Sequence, residues 1–186
     1  MNCCKTMVQS DYYHVFHSIT GNMVSEMMRV VPGDSISQTF IRQMIPHHQA
    51  AIDMSRNLLE YTKDERLRSI AQNIISSQTR SIKDMEAAYE KCGCYTDCEN
   101  NVLSYQENFQ KAVSTMFCRM SWAQQTGNIS CDFLYEMIPH HEGAIAMSEN
   151  ALDYAICPEL IPILKAIITS QCQGVREMQA LKKCLC

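Results

Sequence analysis

The chain has 186 residues, of which 46% are hydrophobic, enough for one single-core domain or two very small ones. Charged residues make up 19% and the net charge is −4, which excludes a disordered acidic tail and a basic nucleic-acid binder. Five Pro and six Gly argue against an all-β fold rich in tight turns, and no apolar run approaches the roughly 18 residues that a membrane helix needs.

The opening residues, MNCCKTMVQSDYYHVF, lack the apolar stretch of a secretory signal. The expectation is a cytoplasmic protein if the chain is complete, and an exported one if a leader has been trimmed. The first predicted helix covers about 10–30, with Tyr12, Phe16, Ile19, Met23 and Met27 forming an apolar stripe at helical spacing. His14 and His17 lie three apart on it and make a possible auxiliary metal site. The segment VPGDS breaks this helix and offers Asp34 or Ser35 as the next N-cap.

The second helix is predicted to run to about 61. Met44, His47, Ala51 and Met54 fall at i, i+3, i+7 and i+10 on one of its faces. The small Ala leaves room beside them for an ion or a close helix. His48 is turned about 100° further round, toward the next seam. Pro46 lies inside the helix or at its true start, and inside it would remove a backbone bond and kink the helix. The third helix, about 63–89, carries Gln78, Ile82 and Met85 on one stripe. A buried Gln needs a hydrogen-bond partner, and the ring N–H of the opposite His is the expected one.

After the connector KCGCYTDCEN the pattern begins again. FIRQMIPHHQAAIDMSRNLLEY returns as FLYEMIPHHEGAIAMSENALDY at an offset of 93, without a gap. The same offset takes Tyr12 to Tyr105, Phe16 to Phe109, Met23 to Met116, Met27 to Met120, Gln78 to Gln171 and Met85 to Met178. The chain is therefore read as one domain, 1–186, made of two units, 10–92 and 103–185. Its second set of helices is expected at about 102–123, 132–155 and 158–183, with Pro158 in a first helical turn. Strand signals are absent, so the fold class is all-α. A duplicated unit suggests a pseudo-two-fold arrangement in which matched residues line a shared interior.

The repeat also doubles the chemistry: Met137, His140, His141, Met147 and Met178 copy the first set. Di-iron carboxylate bundles need Glu-x-x-His on two helices, and here both motifs read Met-x-x-His. A thioether in place of a hard carboxylate favours Cu(I) and similar soft ions over iron or manganese. Met23, Met27, Met116 and Met120 are read as core filling.

The doubled MIPHH-x-x-A-I-x-M-S, each followed by Q-x(6)-M, resembles domain-of-unknown-function family 305, the CopM-like copper-binding proteins, over most of the chain. The resemblance implies a ferritin-like helical bundle that binds copper, with silver as the second candidate ion, through Met and His in metal resistance or homeostasis. Carried over, Met44, His47, His48 and Met54 match the motif, as do Met137, His140, His141 and Met147.

Eleven Cys, an odd number, is about 6% of the chain and below the level of a small disulfide scaffold. Cys3 and Cys4 stand at the start. Cys92, Cys94 and Cys98, with Cys184 and Cys186, stand at the unit ends as possible further metal ligands, since thiolates bind Cu(I). Their spacing is not that of a zinc site. The combined expectation is a non-enzymatic Cu(I) protein, with zinc or iron less favoured, that sequesters, buffers or delivers the metal. A copper chaperone or transporter is a possible partner, as is a second copy of the chain. A metal-dependent oxidoreductase and a Cys-based redox-sensing bundle are the competing readings.

Overall fold

The computed structural model describes residues 2–123 and 125–186, with side chains described from residue 10 onward; Cys3 and Cys4 therefore lie outside the described side chains. Six helices follow in chain order: α1 (Asn2–Arg29), α2 (Ile36–Leu59), α3 (Glu65–Cys92), α4 (Glu99–Ser121), α5 (Ile129–Leu152) and α6 (Leu160–Leu185). Among the described residues there is no strand, and the all-α expectation holds with three helices in each unit. Most boundaries differ from the sequence reading by two or three residues, α4 and α5 each beginning three residues before the expected start. Helix α1 begins at Asn2, eight residues before the predicted start, and α6 begins at Leu160 rather than around Pro158. Pro158 instead sits in the turn that closes with Leu160 N donating to the Cys157 carbonyl at 3.0 Å.

Local chemistry sets the helix starts. Ser35 Oγ accepts from Gln38 N at 3.3 Å, Asp64 accepts from Arg66 N and Leu67 N, and Asn128 Oδ1 accepts from Ser130 N, each satisfying donors that a helix N-terminus leaves open. Gly127, just before the Asn128 cap, has φ 76°, a left-handed turn conformation that a side chain disfavours. A second tie comes from beyond α3, where Asp97 Oδ2 accepts from Ile36 N at 2.9 Å and Asp97 N donates to the Asp34 carbonyl at 2.7 Å.

Helices α2 and α5 occupy the centre. Helix α2 packs on α1, α3 and α5, while α5 packs on α4, α6 and α2; α3 meets α6 across the middle, and α1 barely meets α4. This explains why the buried residues of α2 and α5 extend over more than one face, whereas α4 buries the single stripe Tyr105, Phe109, Val113, Met116 and Met120. Pro46 and Pro139 are both interior to their helices, so each removes one backbone donor one residue before a His pair.

Matched bonds tie the helices within each half and join the halves to each other. Asn57 Nδ2 donates to the Tyr12 carbonyl and Asn150 Nδ2 to the Tyr105 carbonyl, both at 3.1 Å. The Tyr105 hydroxyl donates to Gln43 Oε1 on the other unit at 2.8 Å, and Tyr12 donates to Glu136 Oε2 at 3.2 Å. Each half thus sends one tyrosine into the central helix of the other.

Candidate metal centre

The centre lies where α2 and α5 cross. His47 and His140, related by the repeat, face each other with ring centroids 3.8 Å apart and planes tilted by 30°. His48 and His141 stand 6.0 Å from their respective neighbours. All four rings are buried. The outward turn expected for the second His of each pair is seen at His141, which reaches α6. There a side chain at Gly174 would come within 2.9 Å of His141 Cδ2, and Met178 borders the same position. His141 and Met178 are thereby brought together.

Electrostatically the four imidazoles are held neutral. Burial pushes His47 and His140 well below their ordinary value, and the other imidazoles add to the shift. Burial also lowers His48 to about 3, with His140 and His141 contributing, and lowers His141 to about 4. Desolvation disfavours the charged ring, so each keeps a lone pair for a ligand instead of a second proton. Nδ1 of all four rings and Nε2 of His140 have no hydrogen-bond partner. Unpaired buried polar atoms are costly, and five on four neighbouring rings is an uncommon concentration.

The expected Gln–His bond is not formed. Gln78 and Gln171 are buried, but the Oε1 atom of each is unpartnered. The sequence places these residues on the correct face but cannot fix their distance from the rings. The thioethers are in the interior as expected: Met44, Met54, Met85, Met137, Met147 and Met178 are all fully buried. A thioether not predicted for the centre joins it. Met116, which looks in sequence like core filling, places Sδ 3.3 Å from His47 Nε2. Its stripe position on α4 carries no signal separating it from Met23, its copy.

The further candidates scatter. His14 and His17 are exposed on α1, and Cys94, Cys98 and Cys184 are reduced and exposed. Cys186 is committed elsewhere, being disulfide-bonded to Cys131 with Cα atoms 5.7 Å apart; this removes it from the ligand set. Cys92 is buried against Cys157, and burial, followed by that neighbouring thiol, pushes it up to about 12. Among the described residues no group of three or more His, Cys, Asp or Glu side chains is placed to hold a metal ion. A centre here must draw on sulfur from Met beside one or two imidazoles. Thioether and neutral imidazole without carboxylate suit a soft, low-charge cation of low coordination number.

Comparison with known proteins points the same way at the level of family. A DUF305 fragment from Deinococcus radiodurans superposes with a TM-score of 0.59 at 25% identity, covering 83% of this chain and 100% of that one. CopM in an Ag-bound form superposes with a TM-score of 0.59 at 28% identity, covering 82% and 98% of the two chains. CopM in a Cu(II)-bound form gives 0.58 at 28%, covering 79% and 95%. The uncharacterized protein L153 of Acanthamoeba polyphaga mimivirus is 38% identical over 52 residues, 28% of this chain and 34% of that protein, so the match spans about a third of the curated relative. With the family's model matching over residues 13–89 and 37–182, and with helical solved relatives covering both units, the chain belongs to the family described as Domain of unknown function (DUF305).

Proposed function

We propose that this protein binds a soft monovalent cation, Cu(I) or Ag(I), as cargo at the α2–α5 crossing, and that it sequesters, buffers or delivers the ion without catalysing a reaction. The observation that carries this reading is the cluster of four buried imidazoles with unpartnered nitrogens, beside thioethers and without a carboxylate ligand set. His47 and His140 are the central ligands, His48 and His141 flank them, and Met44, Met54, Met85, Met137, Met147 and Met178 supply sulfur. The thioether sulfurs of such a donor set favour Cu(I) over the harder Cu(II) state. Delivery would hand the ion to a copper chaperone or transporter. The Ag-bound and Cu(II)-bound forms of CopM support metal binding by a relative of the same fold.

The test is an anaerobic Cu(I) competition titration against a chromogenic chelator, comparing reduced wild type with H47A/H140A and checking the helicity of both. Tight binding that is lost or weakened by at least about tenfold in the variant is the expected result. Full affinity in the variant would move the ion to the thiols.

A second reading is favoured by a specific observation: Cys92 and Cys157 are buried together at the α2 N-terminus. There Ser35 Oγ donates to the Cys92 carbonyl and Cys157 N donates to Ser37 Oγ. A redox-responsive bundle using that pair predicts a thiol count that changes with oxidant while Cu(I) affinity stays negligible.

A further inference from the structure

The two halves of the centre are not equivalent, and one of the differences is a methyl group. On α5, Gly143 lets α4 approach closely: a Cβ there would sit 2.5 Å from Met116 Sδ, 2.7 Å from its Cγ and 2.9 Å from its Cβ. No rotamer of a larger residue at 143 leaves Met116 where it is. In the repeat, Gly143 corresponds to Ala50 and Met116 to Met23, so the first unit carries the methyl that the second lacks. The consequence is visible at the rings. His47 Nε2 has Met116 Sδ 3.3 Å away, while both ring nitrogens of His140 are without a partner.

Met116 also has an outer side. A surface groove of about 250 Å³ between α4 and α5 has Met116 and Gly143 in its lining, with Lys111, Arg119 and Glu142 among its other residues. Arg119 pairs with Glu142 across it. Met116 itself is only 2% exposed, and it borders the groove on one side and His47 Nε2 on the other. It is an unbranched thioether whose three rotatable bonds let its sulfur swing between the two.

Building on the soft-cation reading above, we infer that the centre is loaded from one side. The cation enters through the α4–α5 groove, is taken by Met116 Sδ, and is held between that sulfur and His47 Nε2 as its first resting site. Gly143 is the residue that admits Met116 to this position. Met23, whose matched neighbour is Ala50, has no such part. No bond is made or broken in the protein and no electron moves. Only water or a carrier ligand on the cation is exchanged for sulfur and nitrogen.

The experiment compares M116L, G143A and M23L with the wild-type full chain, each loaded anaerobically with Cu(I) under chelator competition, with X-ray absorption reading the ligand shell. Leu matches Met in volume and Ala adds one methyl, and thermal melts identify any variant that does not fold. M116L is expected to weaken binding by about tenfold or more and to lose one sulfur from the ligand shell, and G143A to do the same through displaced Met116. M23L is expected to stay within about twofold of wild type. M116L and M23L behaving alike, with His47 still needed, would overturn the one-sided entry while leaving the centre intact. Unchanged affinity in H47A/H140A would overturn the centre itself. Should G143A fail to fold, M116L against M23L decides alone.

Discussion

At the foot of the second unit the chain is closed covalently, with Cys131 on α5 joined to Cys186 at the end of α6. At the same place in the first unit the matched residues are Gln38 and Gly93. There Gln38 reaches over Gly93, where a Cβ would come within 2.8 Å of its Nε2, and donates to the Tyr89 carbonyl at 3.1 Å. Both solutions cover the last turn of a unit's third helix, whose carbonyls lack partners within the helix. In the first unit the chain continues into α4 and Asp97 ties it back to α2, so continuity does what the disulfide does in the second. A duplicated fold keeps its geometry while the chemistry fixing each end is replaced.

That comparison is broken most forcefully by reduction. The Cys131–Cys186 bond closes a separation of 55 residues, and the entropy of such a loop corresponds to about 2–4 kcal/mol of stability. Wild type with reductant and C131S/C186S without it are expected to melt alike, both well below the oxidised protein. Equal melting of all three would mean that the packing of α6, not the bond, holds that end.

A smaller effect is expected where Gln43 and Glu136 occupy matched positions. Each accepts from a tyrosine of the other unit, but only Glu136 titrates. Burial raises it to about 8; the charge of Asp132 adds to the rise, while the bond from Tyr12 pulls it back. Between the ordinary value of 4.5 and about 8, the folded state binds a proton that the unfolded chain has released. The contribution of Glu136 to stability therefore falls as pH rises through that window, against the rise that the four depressed imidazoles bring below 6.5. E136Q, copying the first unit, is expected to gain about 2 kcal/mol at pH 7 and to flatten this slope. Denaturant melts at pH 5 and pH 8 read it, and an unchanged slope would move the titration to another group.

The least disruptive comparison concerns Asn57 and Asn150, whose bonds to the carbonyls of Tyr12 and Tyr105 match in length. N57A and N150A are each expected to cost about 1 kcal/mol. A large inequality would show that the halves differ in packing where their geometry agrees.

The fold was legible because the repeat carried it. A gapless offset of 93 assigns matched positions without knowledge of either structure, and His47 and His140 meet as such positions should. What escaped the sequence depended on distance between elements. Gln78 and Gln171 share the correct face yet leave Oε1 unpartnered, because face assignment does not set how near two helices come. Met116 and Met23 occupy matched positions on apolar stripes, and the missing Cβ at 143, which admits Met116 so closely, cannot be read as a contact from the sequence. The Cys131–Cys186 pairing runs from the first turn of α5 to the chain end, and an odd number of cysteines offers no rule for finding it.

The meeting of His47 and His140 between the two units has a further consequence. Had the units been separate identical chains, any substitution near that meeting point would appear on both sides at once, and the centre would change only in pairs. Joined in one polypeptide, each side mutates singly. Ala50 opposite Gly143 and Gln43 opposite Glu136 are changes that a symmetric pair of chains could not make, and direction, a way in distinct from a way out, requires that freedom.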